Sequence, residues 1–223
     1  MQTHDAHGYA NAFFTPTNAQ TYDKVARWAT FGQDIVWKKM IVAAIGSGKQ
    51  VLELACGTGI LTSMLSSVGN QVTGLDLTRS YLVHANTKAR FRLMQGTAEV
   101  LPFKMEAFDA VASSYLAKYV DMRLVARECF EVLRPGGTAV FHDFTLPRGK
   151  IMHALWQVHF RILRLVGMFT PSWRFVFDSL EKVIAESFWE DKAVLALREA
   201  GFVNIRVRHF TAGTAGMVSA DKP

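Results

Sequence analysis

From Gln50 onward, short apolar runs alternate with longer stretches in which apolar residues recur every three or four positions. That rhythm is the pattern of successive βα units wound around a mostly parallel sheet. It predicts strands at Val51–Ala55, Gln71–Leu75, Arg90–Gln95, Phe108–Ser113 and Thr138–Asp143. All are short and mostly apolar, as strands covered on both faces must be. Helical spacing fills Gly59–Val68, Ser80–Lys88 and Arg123–Leu133, the last stopped by Arg134-Pro135-Gly136-Gly137. Beyond Pro147 the strand rhythm pauses for helical patterns at Ile151–Phe169 and Ser179–Ala200, and two strands, Phe202–His209 and Thr214–Ala220, close the chain as a hairpin. The expected architecture is a single α/β domain over 1–223, with a helical element at 1–48 and a helical insert at 147–178.

The 223 residues suffice for one sizeable core, and 50% are hydrophobic. Charges interrupt every apolar stretch before the roughly 20 residues a membrane span needs. Met1 to Ala12 is polar and lacks the basic start and apolar core of a secretory signal, so a cytoplasmic protein is expected. Two cysteines, Cys56 and Cys129, suggest neither a disulfide framework nor a metal cluster. A net charge of +6 suits nucleic acid, an anionic membrane surface or simple solubility. Because the basic residues are scattered and form no nucleic-acid motif, nucleic acid is not the expected partner. They gather only in one unusually aromatic segment, at Arg148, Lys150, Arg161, Arg164 and Arg174.

Candidate chemistry begins at Glu53-Leu54-Ala55-Cys56-Gly57-Thr58-Gly59, a glycine-rich turn that leaves the first strand and opens a helix. Such a turn lets backbone N–H groups approach a ligand that a Cβ would hold away. The dinucleotide fingerprint requires a third glycine where this chain has Thr62, and no Gly-Lys-Ser/Thr of a phosphate loop follows. Asp76, at the end of the second strand, supplies a carboxylate that can accept both hydroxyls of a ribose. Alone the turn reads as a structural corner, but with Asp76 ordered behind it a nucleoside site is the stronger reading.

These motifs, followed by Gly96-Thr97-Ala98-Glu99-Val100-Leu101-Pro102-Phe103, by Phe108-Asp109 and by Val132-Leu133-Arg134-Pro135-Gly136-Gly137, resemble the ordered motifs of class I S-adenosylmethionine methyltransferases. The resemblance implies a Rossmann-like sheet of seven strands, mostly parallel with an antiparallel last strand and helices on both faces. It implies S-adenosylmethionine as cofactor, held around Glu53, Ala55 and the Gly57-Thr58-Gly59 backbone. Asp76 then meets the ribose, Leu77, Thr97 and Ala98 form the adenine rim, and Ser114 lies close by. Many relatives carry Asp or Asn at the position of Thr97, so contact with the adenine amino group passes here to the main chain and to Leu77.

More closely, Tyr22-Asp23, Phe31-Gly32, Trp37-Lys38, Asp143-Phe144-Thr145-x-Pro147 and Thr211-Ala212-Gly213 resemble the ubiquinone and menaquinone biosynthesis C-methyltransferases. That implies a lipid-like quinol acceptor whose ring carbon gains nucleophilicity when a neighbouring hydroxyl loses its proton. Lys118-Tyr119 stands where that family has an Arg-Asn pair, and Lys lacks the planar two-point contact of Arg. Lys118, Asp143 and His142 are the candidate catalytic groups. The alternatives are that His142 is structural, that Asp143 caps the helix after Pro147, and that Tyr22 is core packing rather than a cover for the methionine end. The aromatic insert reads equally as a greasy lid or peripheral membrane contact and as an amphipathic helix completing the core or a homodimer. Two other functions stay open: methylation of a phospholipid amine or small N/O acceptor, and a non-catalytic cofactor- or RNA-binding protein.

Overall fold

The computed structural model describes residues 8–10, 12–88 and 92–223. The strands are β1 (Gln50–Leu54), β2 (Gln71–Asp76), β3 (Arg92–Gln95), β4 (Phe108–Ser114), β5 (Leu133–Phe144), β6 (Val203–Phe210) and β7 (Ala215–Asp221). Helices α1 (Pro16–Ala19), α2 (Tyr22–Ala29) and α3 (Gln33–Ile45) precede the sheet. Helices α4 (Ile60–Ser67), α5 (Arg79–Lys88) and α6 (Met122–Val132) cross over between strands. Helices α7 (Lys150–Gly167), α8 (Pro171–Ser187) and α9 (Trp189–Glu199) lie between β5 and the final hairpin.

The sheet runs β3-β2-β1-β4-β5-β7-β6. Neighbours among β1 to β5 are parallel, whereas β7 runs antiparallel to both β5 and β6. This is the sheet expected from the sequence. Strand order reverses between β1 and β4, and the crevice outside their carboxyl ends is where open α/β sheets bind ligands.

Most boundaries shift by a residue or two and α8 starts at Pro171 rather than Ser179; two further departures from the sequence reading have a clear physical reason. Leu133 belongs to β5, not to the preceding helix: pairing jumps from Phe108 opposite Leu133 to Ala110 opposite Thr138, so the Arg-Pro-Gly-Gly run loops out as a bulge. Gly136 takes a φ of +75° there, and a Cβ on Gly137 would sit 2.8 Å from the carbonyl oxygen of Arg134. The predicted helix Ser179–Ala200 is two helices broken at Phe188, whose backbone is left-handed (φ 47°, ψ 36°). A straight helix could not serve both cores, because Val183 and Ile184 pack with aromatic residues while Trp189, Ala193, Ala196 and Leu197 pack under the sheet. The third strand starts at Arg92; the rest of its predicted span lies outside the described residues.

One apolar layer sits between the sheet and α6 with α9, and a second between the sheet and α3 with α4, through Ile41, Ile45, Leu61 and Leu65. A third cluster is built from Phe13, Trp156, Phe160, Trp173 and Phe177, so those insert aromatics are buried core. Phe169 and Phe175 are exposed. Among the described residues no helix is long and apolar enough to cross a membrane.

Candidate functional site

Strand β1 leaves the sheet through three residues of positive φ, Ala55 (54°), Gly57 (54°) and Gly59 (78°), and this tight corner lines a cleft through Ala55, Cys56, Gly57 and Thr58. Asp76 braces the corner: its Oδ2 accepts from the N–H of Gly57 and its Oδ1 from that of Thr78, both at 2.8 Å. Each carboxylate oxygen keeps a further lone pair for a ligand. Burial pushes the carboxyl upward in pKa, against the two N–H bonds and the Thr78 hydroxyl. The cleft encloses about 1050 Å³ including its open mouth.

Beside the corner, Glu53 is buried and accepts at Oε2 from the hydroxyl of Thr62 at 2.5 Å. Burial pushes Glu53 up to about 8, opposed by that hydrogen bond and by Lys38. Thr62, the residue that breaks the dinucleotide fingerprint, therefore serves the acid one strand away. Lys38, from α3, lines the same cleft and is the one cation among its lining residues. Its ammonium pairs with Asp34, whose Oδ1 also accepts from the Tyr115 hydroxyl at 2.8 Å. Cys56 lines the cleft too, in space left by Gly74, where an added Cβ would fall 2.8 Å from its sulfur. Burial raises the thiol pKa of Cys56 and of Cys129, the latter fully buried in the core under the sheet.

A second cavity, of about 590 Å³, adjoins the first. Phe14, Tyr22, Tyr115 and Tyr119 line both and form the partition. Its other walls include Phe13, Val25, Phe144, Trp173 and Phe177, and among the described residues its single charged lining residue is Lys118. Lys118 Nζ lies 2.5 Å from Asp143 Oδ1 and 4.4 Å from the centre of the Tyr119 ring. Both partners are buried. Asp143 accepts further N–H bonds from Phe144 at 2.8 Å and from Lys118 at 3.3 Å. Burial lowers the Lys118 pKa and raises that of Asp143, and their mutual attraction opposes both shifts. Tyr115, between the cavities, holds a φ of 70°, a conformation a bulky side chain adopts only when its surroundings impose it.

Residues 6–222 match the ubiE/COQ5 methyltransferase family. The chain belongs to that family. It is 30% identical over 215 residues to the demethylmenaquinone methyltransferase of Mycolicibacterium paratuberculosis, spanning 92% of this chain and 90% of the relative. It is also 30% identical over 210 residues to the demethylmenaquinone methyltransferase of Staphylococcus aureus, spanning 89% and 87%. Its fold is shared by an S-adenosylmethionine-dependent methyltransferase of Thermotoga maritima (TM-score 0.64, 18% identity, 92% of this chain and 98% of that one). It is shared as well by geranyl diphosphate methyltransferase (TM-score 0.62, 17% identity, 84% and 85%). The protein is accordingly an S-adenosylmethionine-dependent methyltransferase.

In this methyltransferase the structure brings Tyr22, Glu53, Ala55, Gly57, Thr58, Asp76, Leu77, Thr97, Ala98 and Ser114 to one cleft. Gly59 does not line it; it is the left-handed N-cap of α4. Lys118 faces the second cavity, and Asp143 reaches that cavity only through Lys118. Asp143 caps no helix, since α7 starts at Gly149 without a side-chain cap. His142 lines neither cavity. It lies behind Ser114, with Nδ1 3.0 Å from the serine oxygen, and burial holds the imidazole neutral by lowering its pKa. The sequence reading missed the partition residues Phe14 and Tyr115, and it missed Lys38, quoted there only within a motif. The available signal was a lysine four positions after Asp34 on an otherwise apolar helix face.

Proposed function

We propose that this methyltransferase C-methylates a polyprenylated quinol precursor of the demethylmenaquinol type. The observation that carries the proposal is the aromatic cavity sharing a wall with the nucleoside cleft, with one cation and no carboxylate among the described residues that line it. A phospholipid amine asks for carboxylates around its ammonium. A quinol asks for an apolar, aromatic bed and a positive charge beside the hydroxyl that ionises. The names of the curated relatives point the same way.

The cleft fits S-adenosylmethionine on its own chemistry. Its residues offer a glycine corner on which a ligand can close without meeting a Cβ, a carboxylate with spare lone-pair capacity at Asp76, and a buried acid, Glu53, near the cation Lys38 for an amino-acid head group. In this reading Asp76 holds the ribose, Leu77, Thr97 and Ala98 flank the adenine, Glu53 faces the ammonium and Lys38 the carboxylate. When bound, the cofactor supplies an electrophilic methyl group on a sulfonium centre.

The residues of the second cavity do the remaining work. Phe14, Tyr22, Tyr115 and Tyr119 exclude water and fix the acceptor ring against the partition, which is where positioning lowers the barrier of an in-line displacement. Lys118 places its charge beside the ring hydroxyl and lowers a phenolic pKa that is about 10 in water, so charge develops on the adjacent carbon. Asp143 positions Lys118, and His142 positions Ser114. The test is a parallel assay of the purified protein with methyl-labelled S-adenosylmethionine on demethylmenaquinol and on phosphatidylethanolamine. Label in the quinol alone is expected; label in the phospholipid alone overturns the proposal.

A further inference from the structure

The outer surface of α7 is apolar where an ordinary surface helix is polar. Ile151, Leu155, Val158, Ile162, Leu165 and Phe169 succeed one another at spacings of four and three residues, which places them on one stripe of the helix and its extension. All six are exposed, Ile151 at 81% and Phe169 at 84%. The opposite face, through Trp156, Phe160 and Leu163, is already committed to the aromatic core, so the outer stripe has no partner within the described chain.

Charge identifies what covers it. Helix α7 contains no Asp or Glu. Lys150 and Arg161 are about three turns apart and share one flank of the stripe. A second copy laid along this face would set apolar stripe on stripe but cation against cation. An anionic surface satisfies both the stripe and its flank, which is the pattern of a helix lying in a membrane interface. Position agrees. Phe31 is 80% exposed at the corner between α2 and α3, and its ring lies 5.3 Å from that of His159 on α7. Ala29 and Thr30, next to Phe31, and Trp173, Val176 and Phe177 of the packed helix α8 line the aromatic cavity. The apolar surface and the acceptor cavity are therefore two sides of one helical layer.

We propose that the outer face of α7, with Phe31 at its edge, seats this protein on an anionic bilayer, so that a prenyl-tailed acceptor passes from membrane to cavity without crossing water. The loading step rests on the quinol reading given above; the docking step does not. The test is flotation of the full-length protein with phosphatidylcholine vesicles that contain or lack phosphatidylglycerol. Binding is expected only to the anionic vesicles, weakening with salt, falling about fivefold in Arg161→Gln and lost in Ile162→Glu/Leu165→Glu. Both substitutions alter exposed side chains, and unchanged thermal melts would verify the fold. Equal flotation of wild type and variants, or none with either vesicle, overturns the proposal. So does a dimer in sedimentation velocity that the double substitution dissolves, since a second copy would then own the face. Vesicle binding without methylation of demethylmenaquinol would sink the acceptor reading and leave docking in place.

Discussion

Replacing Lys118 by methionine tests the ion pair at the floor of the aromatic cavity. The substitution keeps an unbranched apolar side chain of nearly the same reach and removes the ammonium, with its ion pair 2.5 Å from Asp143, its bond to the Tyr115 carbonyl at 3.3 Å and its cation contacts with the Tyr115, Tyr119 and Phe144 rings. Asp143 is then left at zero exposure with two backbone N–H donors for support. Removing one partner of a buried pair costs about 3–5 kcal/mol. For a chain of this size each kcal/mol moves the midpoint by about 2–4 °C, so a fall of roughly 6–20 °C is expected.

The loss depends on pH with a definite sign. Burial already raises the Asp143 carboxyl above its usual range, and without Lys118 it rises further. A group whose folded pKa lies above its unfolded value binds its proton more tightly in the fold. Stability is therefore least affected near the unfolded carboxylate pKa of about 4 and falls as pH climbs through the folded value. The double variant Lys118→Met/Asp143→Asn removes the stranded charge while its amide oxygen can still accept from Phe144, and should recover most of the loss. Urea and thermal unfolding followed by circular dichroism at pH 5 and 8 provide the measurement. A single variant within 1 kcal/mol of wild type, or a double variant no better than the single, would refute the view of a dry, mutually dependent pair.

Three further outcomes are expected. In the proposed reading Asp76→Ala removes two ribose contacts to a charged acceptor, each worth about 1.5–3 kcal/mol, so cofactor affinity by calorimetry should drop by roughly a hundredfold to ten-thousandfold; an unchanged dissociation constant would remove Asp76 from the site. Glu53, raised to about 8, makes the ligand-free protein lose stability as pH rises from its ordinary carboxylate range toward 8. Glu53→Gln should flatten that decline in urea unfolding between pH 5 and 9, and parallel curves for the two proteins would contradict it. Phe188→Gly relieves a left-handed backbone at an exposed residue and should raise stability by about 1 kcal/mol, or about 2–4 °C, whereas a lowered midpoint would show that the ring itself contributes.

The sheet was legible in the sequence because its strands are short apolar runs separated by helical spacing, and that alternation has few other solutions. The corner that lines the cleft was legible because glycines at Gly57 and Gly59, and an acid at Asp76, answer local backbone needs that leave a local signature. The α8–α9 break was not, because Phe188 is no helix breaker; only the demand of two separate cores forces the turn there. Lys38 was missed for a similar reason. It arrives from a helix that precedes β1, and its place beside Glu53 is a product of packing rather than spacing. His142 was read as a catalytic candidate from its position at a strand end; it lines neither cavity, and its ring packs behind the partition against Trp37 and Tyr115.

The two cysteines sit at different depths of the same molecule. An alkylating reagent attacks the thiolate, and burial suppresses that form at both positions. Cys56 is released by loosening of the glycine corner alone, whereas Cys129, at the heart of the layer beneath the sheet, is released only when that layer comes apart. A labelling time course followed by peptide mass mapping thus carries two clocks, one for breathing of the cleft and one for complete unfolding. A nucleoside seated in the cleft should slow the first far more than its own stabilisation slows the second.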